Sequence, residues 1–120
     1  MFIIIQFYFK KYACALIYKI MKVLILGFED LQELDNTMEA LIEQSQCFLF
    51  SVVCGGTDSC AYKWAQSKGA PVIFSQARSP QDLIKEADYL VIRLKEESPI
   101  WHKNLMMKWK MEGKHGTVIR

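Results

Sequence analysis

Short apolar runs that alternate with helix-forming segments constrain the fold of this chain more than any other feature. The run Lys22–Leu26 ends at Gly27, as buried parallel strands do. Four further strands are predicted at Cys47–Val53, Pro71–Phe74, Asp88–Leu94 and Thr117–Ile119. Strands separated by helical segments predict a Rossmann-like three-layer α/β sandwich, with a mainly parallel sheet of about five strands and helices on both faces.

Capping residues mark where the predicted helices begin. Asp30 can accept hydrogen bonds from the first turn of a helix that follows the first strand. Ser79-Pro80 and Ser98-Pro99 each place a capping serine and a proline before a helix, and the second of these helices reaches Met111. A further helix is predicted over Thr57–Lys68.

Sheets of this kind bind ligands beyond the carboxyl ends of their strands. We expect four segments to converge there: Gly27, Cys54–Asp58, Ser75–Arg78 and Lys95–Ser98. Of these, the turn Gly55-Gly56-Thr57-Asp58 carries the clearest ligand signal. Its glycines permit close backbone approach and present N–H groups at a helix start, while Thr57 and Asp58 offer a hydroxyl and an acceptor for a sugar. A tight turn in which Thr57 or Asp58 only caps the helix fits the pattern equally well.

The first twenty residues differ in character from the rest. Residues 1–20 are mostly Phe, Ile, Tyr and Lys, and Lys10-Lys11 divide them into halves too short to span a membrane. A new apolar strand begins directly at Met21. We therefore interpret 1–20 as an extension outside the fold and 21–120 as the single domain; a membrane-associating tail and an added strand or helix are the alternatives.

Net charge gives little reason to expect a charged partner. It is +2 for the whole chain and becomes −1 without the three lysines of residues 1–20, so neither nucleic acid nor membrane is predicted as a partner. The distribution is uneven, because residues 27–46 carry six acids and no Lys or Arg, whereas Lys103–Arg120 are basic. Two solvated helix faces explain this pattern, and head-to-tail self-association or an anionic partner at the basic end are the alternatives.

The cysteines and histidines suggest no cofactor. The four cysteines form no CxxC pair and suggest no disulfide framework, so a reducing cytoplasm is expected. Cys54 and Cys60 are interpreted as packing residues, with a reactive thiol as the alternative. His102 and His115 lack zinc-ligand spacing, so no metal site is predicted. Aromatic and Met residues near the C-terminus are interpreted as core, or as the interface of a homodimer: Trp101, Met106, Met107, Trp109 and Met111.

Several segments in order resemble the SLOG superfamily. They are the first strand ending at Gly27, Val52–Asp58, Trp64–Val72 and Ala87–Ile92. This Rossmann-like group includes the DprA/Smf proteins, the LOG cytokinin-activating phosphoribohydrolases and the small YspA-type proteins, and the pattern is most similar to the YspA type. The resemblance spans Met21–Arg120 and implies that a nucleotide or nucleotide-derived ligand binds beside the glycine turn.

Two departures from the family pattern place catalysis in doubt. Gly27-Phe28-Glu29 stands where the family often has Gly-Ser-Arg, which removes a cationic phosphate contact. Lys95–Pro99 replaces the glycine-rich loop that carries phosphate binding and a catalytic glutamate in LOG-type enzymes. The resemblance therefore implies ligand binding without LOG-type catalysis.

Three functions follow, in order of preference. The first is a ligand-binding domain whose contacts are Gly27, Gly55, Gly56, Thr57, Asp58 and Ser98. The second is a nucleotide-processing hydrolase that uses Asp58 or Glu97 as the acid. The third is an interaction module that works through the oppositely charged helices.

Overall fold

One sheet with helices on both faces makes up the fold of the computed structural model, which describes residues 3–5, 21–45, 50–54 and 59–120. The six strands are β1 (Ile3–Ile5), β2 (Met21–Leu26), β3 (Phe50–Cys54), β4 (Val72–Phe74), β5 (Tyr89–Arg93) and β6 (Gly116–Ile119). The described helices are α1 (Leu31–Ser45), α2 (Ser59–Lys68), α3 (Pro80–Glu86) and α4 (Ile100–Met111).

The strand order confirms the predicted Rossmann-like architecture. The sheet runs β1-β6-β5-β2-β3-β4, and β2 to β6 are all parallel. In addition, β1 pairs antiparallel with β6 at the edge, where Ile3 lies opposite Ile119. Residues 6–20 lie outside the described residues, so the domain boundary expected at Met21 stays a prediction.

The central strand β2 pairs with β3 on one side and with β5 on the other. Leu24, Ile25 and Leu26 have no exposed surface, which explains why this strand reads as a continuous apolar run rather than an alternating one. The chain builds outward from β2 through β3 and β4, then returns to place β5 and β6 on the other side. The strand order therefore reverses between β2 and β5.

Two apolar cores cover the two faces of the sheet. The core under α1 and α2 includes Trp64, whose ring stacks on Phe50 at a centroid distance of 5.9 Å. The core under α3 and α4 includes Trp109, Leu105 and Met106. The interpretation of Trp109 and Met106 as core residues is thus confirmed.

Three other aromatic and Met residues of α4 are exposed, so their interpretation as core was wrong. Trp101 is 39% exposed, Met107 58% and Met111 84%. An α-helix turns by about 100° per residue, which places Met107 and Met111 opposite the buried side of α4 and Trp101 on its flank. Only one face of α4 therefore packs against the core, which the apolar composition of the helix does not reveal.

Two of the predicted caps are confirmed and one is wrong. Asp30 Oδ1 accepts from the N–H of Gln32 at 2.9 Å, and Ser79 Oγ accepts from the N–H of Asp82 at 3.3 Å. Before α4, the N-cap residue is Pro99, which makes no side-chain cap. The hydroxyl of Ser98 accepts from the N–H of Lys95 at 2.7 Å, so it closes the loop instead of capping the helix.

A polar cluster ties α1 to α2 at the edge of the first core. Trp64 Nε1 donates to Asp35 Oδ1 at 2.9 Å, and Lys68 Nζ lies 2.9 Å from the same oxygen. Lys68 also contacts Glu39 at 3.3 Å. The hydrogen bond from Lys68 lowers the pKa of Asp35, and Trp64 lowers it further.

We expect the Asp35 cluster to make stability depend on acid pH. Because the folded-state pKa of Asp35 is lowered, its contribution to the free energy of unfolding is present above the unfolded pKa, about 3.9. That contribution is lost as the pH falls through the folded pKa. Asp35→Asn keeps an acceptor for Trp64 but removes the charge, so it should be less stable than wild type at pH 7 and equal to it at the lowest pH.

Urea unfolding measured from neutral to acid pH tests this expectation. Glu43→Gln is the matched control, because Glu43 is an exposed acid on the same helix and forms no ion pair with a described residue. A difference between Asp35→Asn and wild type that stays constant down to the lowest pH would contradict the assigned role of Asp35.

Candidate functional site

A cleft of about 470 Å³ opens at the carboxyl edge of the sheet. Its volume lies within the range of pockets that hold small organic ligands. The described residues that line it are Gly27, Phe28, Glu29, Ser59, Cys60, Lys95, Glu97, Ser98, Pro99, Trp101 and His102.

The cleft lies where the order of the strands reverses. Gly27–Glu29 follow β2, and Lys95–Pro99 follow β5, the neighbour of β2 on the other side of the reversal. Ser59-Cys60 begin α2, which follows β3. Loops on the two sides of a reversal diverge and leave a crevice, which is the usual ligand position in open α/β sheets.

Gly27 lets the two sides of the cleft approach each other. Its φ is +84°, a left-handed conformation that L side chains rarely adopt. A Cβ atom at this position would overlap the carbonyl oxygen of Arg93 at the end of β5. Only glycine therefore fits between the ends of these two central strands.

Backbone hydrogen bonds fix the loop that follows β5. Ser98 and Lys95 bond reciprocally, since the N–H of Lys95 donates to Ser98 Oγ at 2.7 Å and the N–H of Ser98 donates to the Lys95 carbonyl at 3.2 Å. The N–H of His102 donates to the Pro99 carbonyl at 3.0 Å. The loop is thus held as a compact turn that leads directly into α4.

The cationic side chains near the cleft form ion pairs with acids of the same chain. Arg93 Nε lies 3.0 Å from Glu33 Oε1, in a pair that joins β5 to α1 and is largely shielded from solvent. Lys95, the one Lys or Arg among the described lining residues, lies 3.5 Å from Glu29 Oε2. The carboxylate of Glu97 also lines the cleft. The described part of the rim therefore lacks an uncommitted cation for a phosphate group.

Aromatic rings form part of the wall. Phe28 and Trp101 both line the cleft, and Phe28 is buried whereas Trp101 is partly exposed. The Trp101 ring meets the ring of His102 edge-on at a centroid distance of 4.2 Å. A half-exposed indole on a cleft wall can stack on a flat ligand ring.

The structure brings together only part of the predicted site. Gly27 and Ser98 both line the cleft, as does Glu97. Gly55, Gly56, Thr57 and Asp58 lie outside the described residues, although the start of α2 that follows them faces the cleft. Ser75–Arg78 are not among its described lining residues.

Sequence reasoning placed Phe28 in a loop at the site without counting it as a ligand contact, and it missed Trp101 and His102, which also line the cleft. The signal for Phe28 was its position directly after the strand-ending Gly27. Trp101 and His102 lie in the first turn of α4, just after a loop that was expected at the site. A search of helix starts as well as loops could have found them.

The cysteines and histidines show no metal-binding arrangement where the structure describes them. Cys54 and Cys60 are both buried in the first core, in agreement with the interpretation of these thiols as packing residues. No group of three His, Cys, Asp or Glu side chains within the described ranges could hold a metal ion. No helix of the described chain is long and apolar enough to cross a bilayer.

The fold and the cleft define a Rossmann-like α/β protein with a ligand-sized crevice at its strand-order reversal. The chain matches no family model, no curated protein and no solved structure. The similarity to the SLOG superfamily therefore depends on the motif residues alone, and membership in that family stays a prediction.

We expect Gly27→Ala to destabilise the protein more than a comparable substitution elsewhere. Gly69→Ala is the matched control, because Gly69 also has a positive φ, +68°, but its Cβ would meet no atom within 4 Å. The control should lose ~1–2 kcal/mol of the free energy of unfolding from backbone strain alone. Gly27→Ala should lose at least ~1 kcal/mol more, because Arg93 must shift.

Urea unfolding of the two variants measures this difference. Equal losses would show that the ends of β2 and β5 are not held as close together as the structure places them.

Proposed function

We propose that this protein is a small-molecule-binding domain whose cleft holds a nucleotide-derived ligand. The observation that carries the proposal is the position of the cleft, at the reversal between β2 and β5 and beside the start of α2. Unrelated proteins with this architecture use the same crevice for nucleotides. The resemblance of the motif residues to the SLOG superfamily supports the same ligand class.

The wall of the cleft favours the base and sugar parts of such a ligand. Trp101 offers a partly exposed ring, and stacking on an aromatic side chain contributes ~1–3 kcal/mol per base. Glu97 and Ser98 supply acceptors at the rim for amino or hydroxyl groups. These groups match a nucleoside better than a polyphosphate.

The glycine turn is the proposed contact for an anionic group. Gly55, Gly56, Thr57 and Asp58 precede the first residue of α2 that lines the cleft, Ser59. Backbone N–H groups at a helix start bind anions without any cationic side chain. The proposed ligand therefore places its base toward Trp101 and any single phosphate toward this turn.

We further propose that the domain binds without catalysing hydrolysis and acts in the cytoplasm. The loop after β5 is closed by the Ser98–Lys95 hydrogen bonds and contains no glycine, so it offers no flexible phosphate-binding segment. The spacing of the four cysteines suggests no disulfide framework, which favours a reducing compartment.

We expect a ligand of this class to raise the melting temperature. Binding to the folded state alone stabilises it by about 2.7 kcal/mol at a ligand concentration 100 times the Kd. Thermal shift measurements with adenosine, guanosine, cytidine, uridine and their monophosphates test this. At least one of the eight should raise the Tm by several degrees.

Trp101→Ala should weaken binding of that ligand by about tenfold, because the stacking surface is lost. Ile100→Ala is the matched control: Ile100 is exposed on the same helix turn but does not line the cleft. Isothermal titration calorimetry compares the two variants. No Tm change with any of the eight compounds would refute the proposed ligand class.

The hydrolase alternative has its own test. Glu97 lines the cleft but is exposed to solvent, whereas the carboxyl group that acts as a general acid is usually shielded from water. We expect no free base when the protein is incubated with nucleoside monophosphates and the products are separated by chromatography. Base release that Glu97→Gln abolishes would replace the binding proposal with a phosphoribohydrolase-like activity.

A further inference from the structure

A second concave surface lies between α4 and the carboxyl ends of β5 and β6. This groove encloses about 640 Å³, and the described residues that line it are Arg93, Leu94, Lys95, Glu96, Lys103, Met106, Met107 and Arg120. It shares only Lys95 with the described lining of the cleft. The proposed ligand site does not account for it.

Positive charge dominates the rim of the groove. Four of its lining residues are cationic, and Glu96 is the single described acid among them. Arg93 and Lys95 already pair with Glu33 and Glu29. Lys103 donates to the backbone carbonyl of Glu96 at 3.0 Å, which satisfies a hydrogen bond but leaves its charge uncompensated. Within the described chain, Arg120 likewise meets no carboxylate.

The floor of the groove is apolar. Leu94 and Met106 are buried beneath it, and Met107 is largely exposed at its side. Met side chains are flexible and polarisable, so they adapt to apolar groups of different shape. Met107 also continues into an exposed ridge along α4 that includes Ile100 and Met111.

We propose that this groove docks an acidic peptide segment of a partner protein, with one apolar side chain seated on the floor. Charge complementarity favours an acidic peptide, because its carboxylates would neutralise Lys103 and Arg120. Its apolar side chain would cover Met107. The proposal is independent of the ligand in the cleft.

Other occupants fit the groove less well. The described lining contains no aromatic ring on which nucleic-acid bases could stack. A membrane surface is flat, so it would meet the rim of a concave groove but leave the apolar floor uncovered. A second copy docked through the acidic helix α1 meets a different obstacle, because three of its four acids, Glu33, Asp35 and Glu39, are already paired within their own chain.

The test is fluorescence anisotropy with the full chain and a labelled peptide of about ten residues. The peptide carries Glu and Asp around a central Leu-Phe pair, and a second version has Lys in place of every acid. The acidic peptide should bind and the basic one should not, and raising the ionic strength should weaken binding. Lys103→Glu and Arg120→Glu should each weaken it by about tenfold or more, and Met107→Ala by several-fold.

Lys108→Glu is the matched control. Lys108 is exposed on α4, carries the same charge as Lys103 and does not line the groove. Circular dichroism verifies that each variant is folded. If Lys103→Glu does not fold, Arg120→Glu alone tests the role of the groove's positive charge. Three results would overturn the proposal: no binding of the acidic peptide, equal weakening by Lys108→Glu, or displacement of the peptide by a dT oligonucleotide or by vesicles rich in phosphatidylglycerol.

Discussion

The structure depends on the burial of residues 23–26 of β2 on all sides. Its neighbours β3 and β5 form hydrogen bonds with its backbone along both edges, while the two apolar cores cover its two faces. Burial of a strand side chain such as Leu24 or Ile25 contributes roughly 1.5–3 kcal/mol. Because β2 is the first of the parallel strands in the chain and lies in the middle of the sheet, the later strands must divide around it. The crevice at the end of β2 is a geometric result of that division.

The architecture could be predicted because its signals are local. Continuous apolar runs mark strands that are covered on both faces, and Asp30 and Ser79 cap helices through hydrogen bonds only two or three residues long. Gly27 was expected at the site for the same kind of reason, since it directly follows a buried strand and ligands bind beyond the carboxyl ends of such strands. Each of these features is decided by neighbours in the sequence.

The features that could not be predicted are decided by partners far away in the chain. Arg93 joins Glu33, sixty residues earlier, and this pairing removes a cation from the edge of the cleft. Ser98 has the residue type of a helix cap, yet the compact loop before α4 engages its hydroxyl with Lys95. The periodicity of α4 shows that it is a helix but not which apolar side chains meet the core, so Trp101 and Met107 were misplaced.

The loop from Lys95 to Pro99 has a consequence for how the two concave surfaces relate. Lys95 lines both, while Glu96 faces the groove and Glu97 and Ser98 face the cleft. A shift of this one short turn therefore changes the shape of both surfaces together. If a ligand in the cleft changes the affinity of the groove for its partner by some factor, the partner must change the affinity of the cleft for the ligand by the same factor. The turn would then form a common wall between the cleft and the groove. Its stiffness would determine how strongly binding at one surface affects binding at the other.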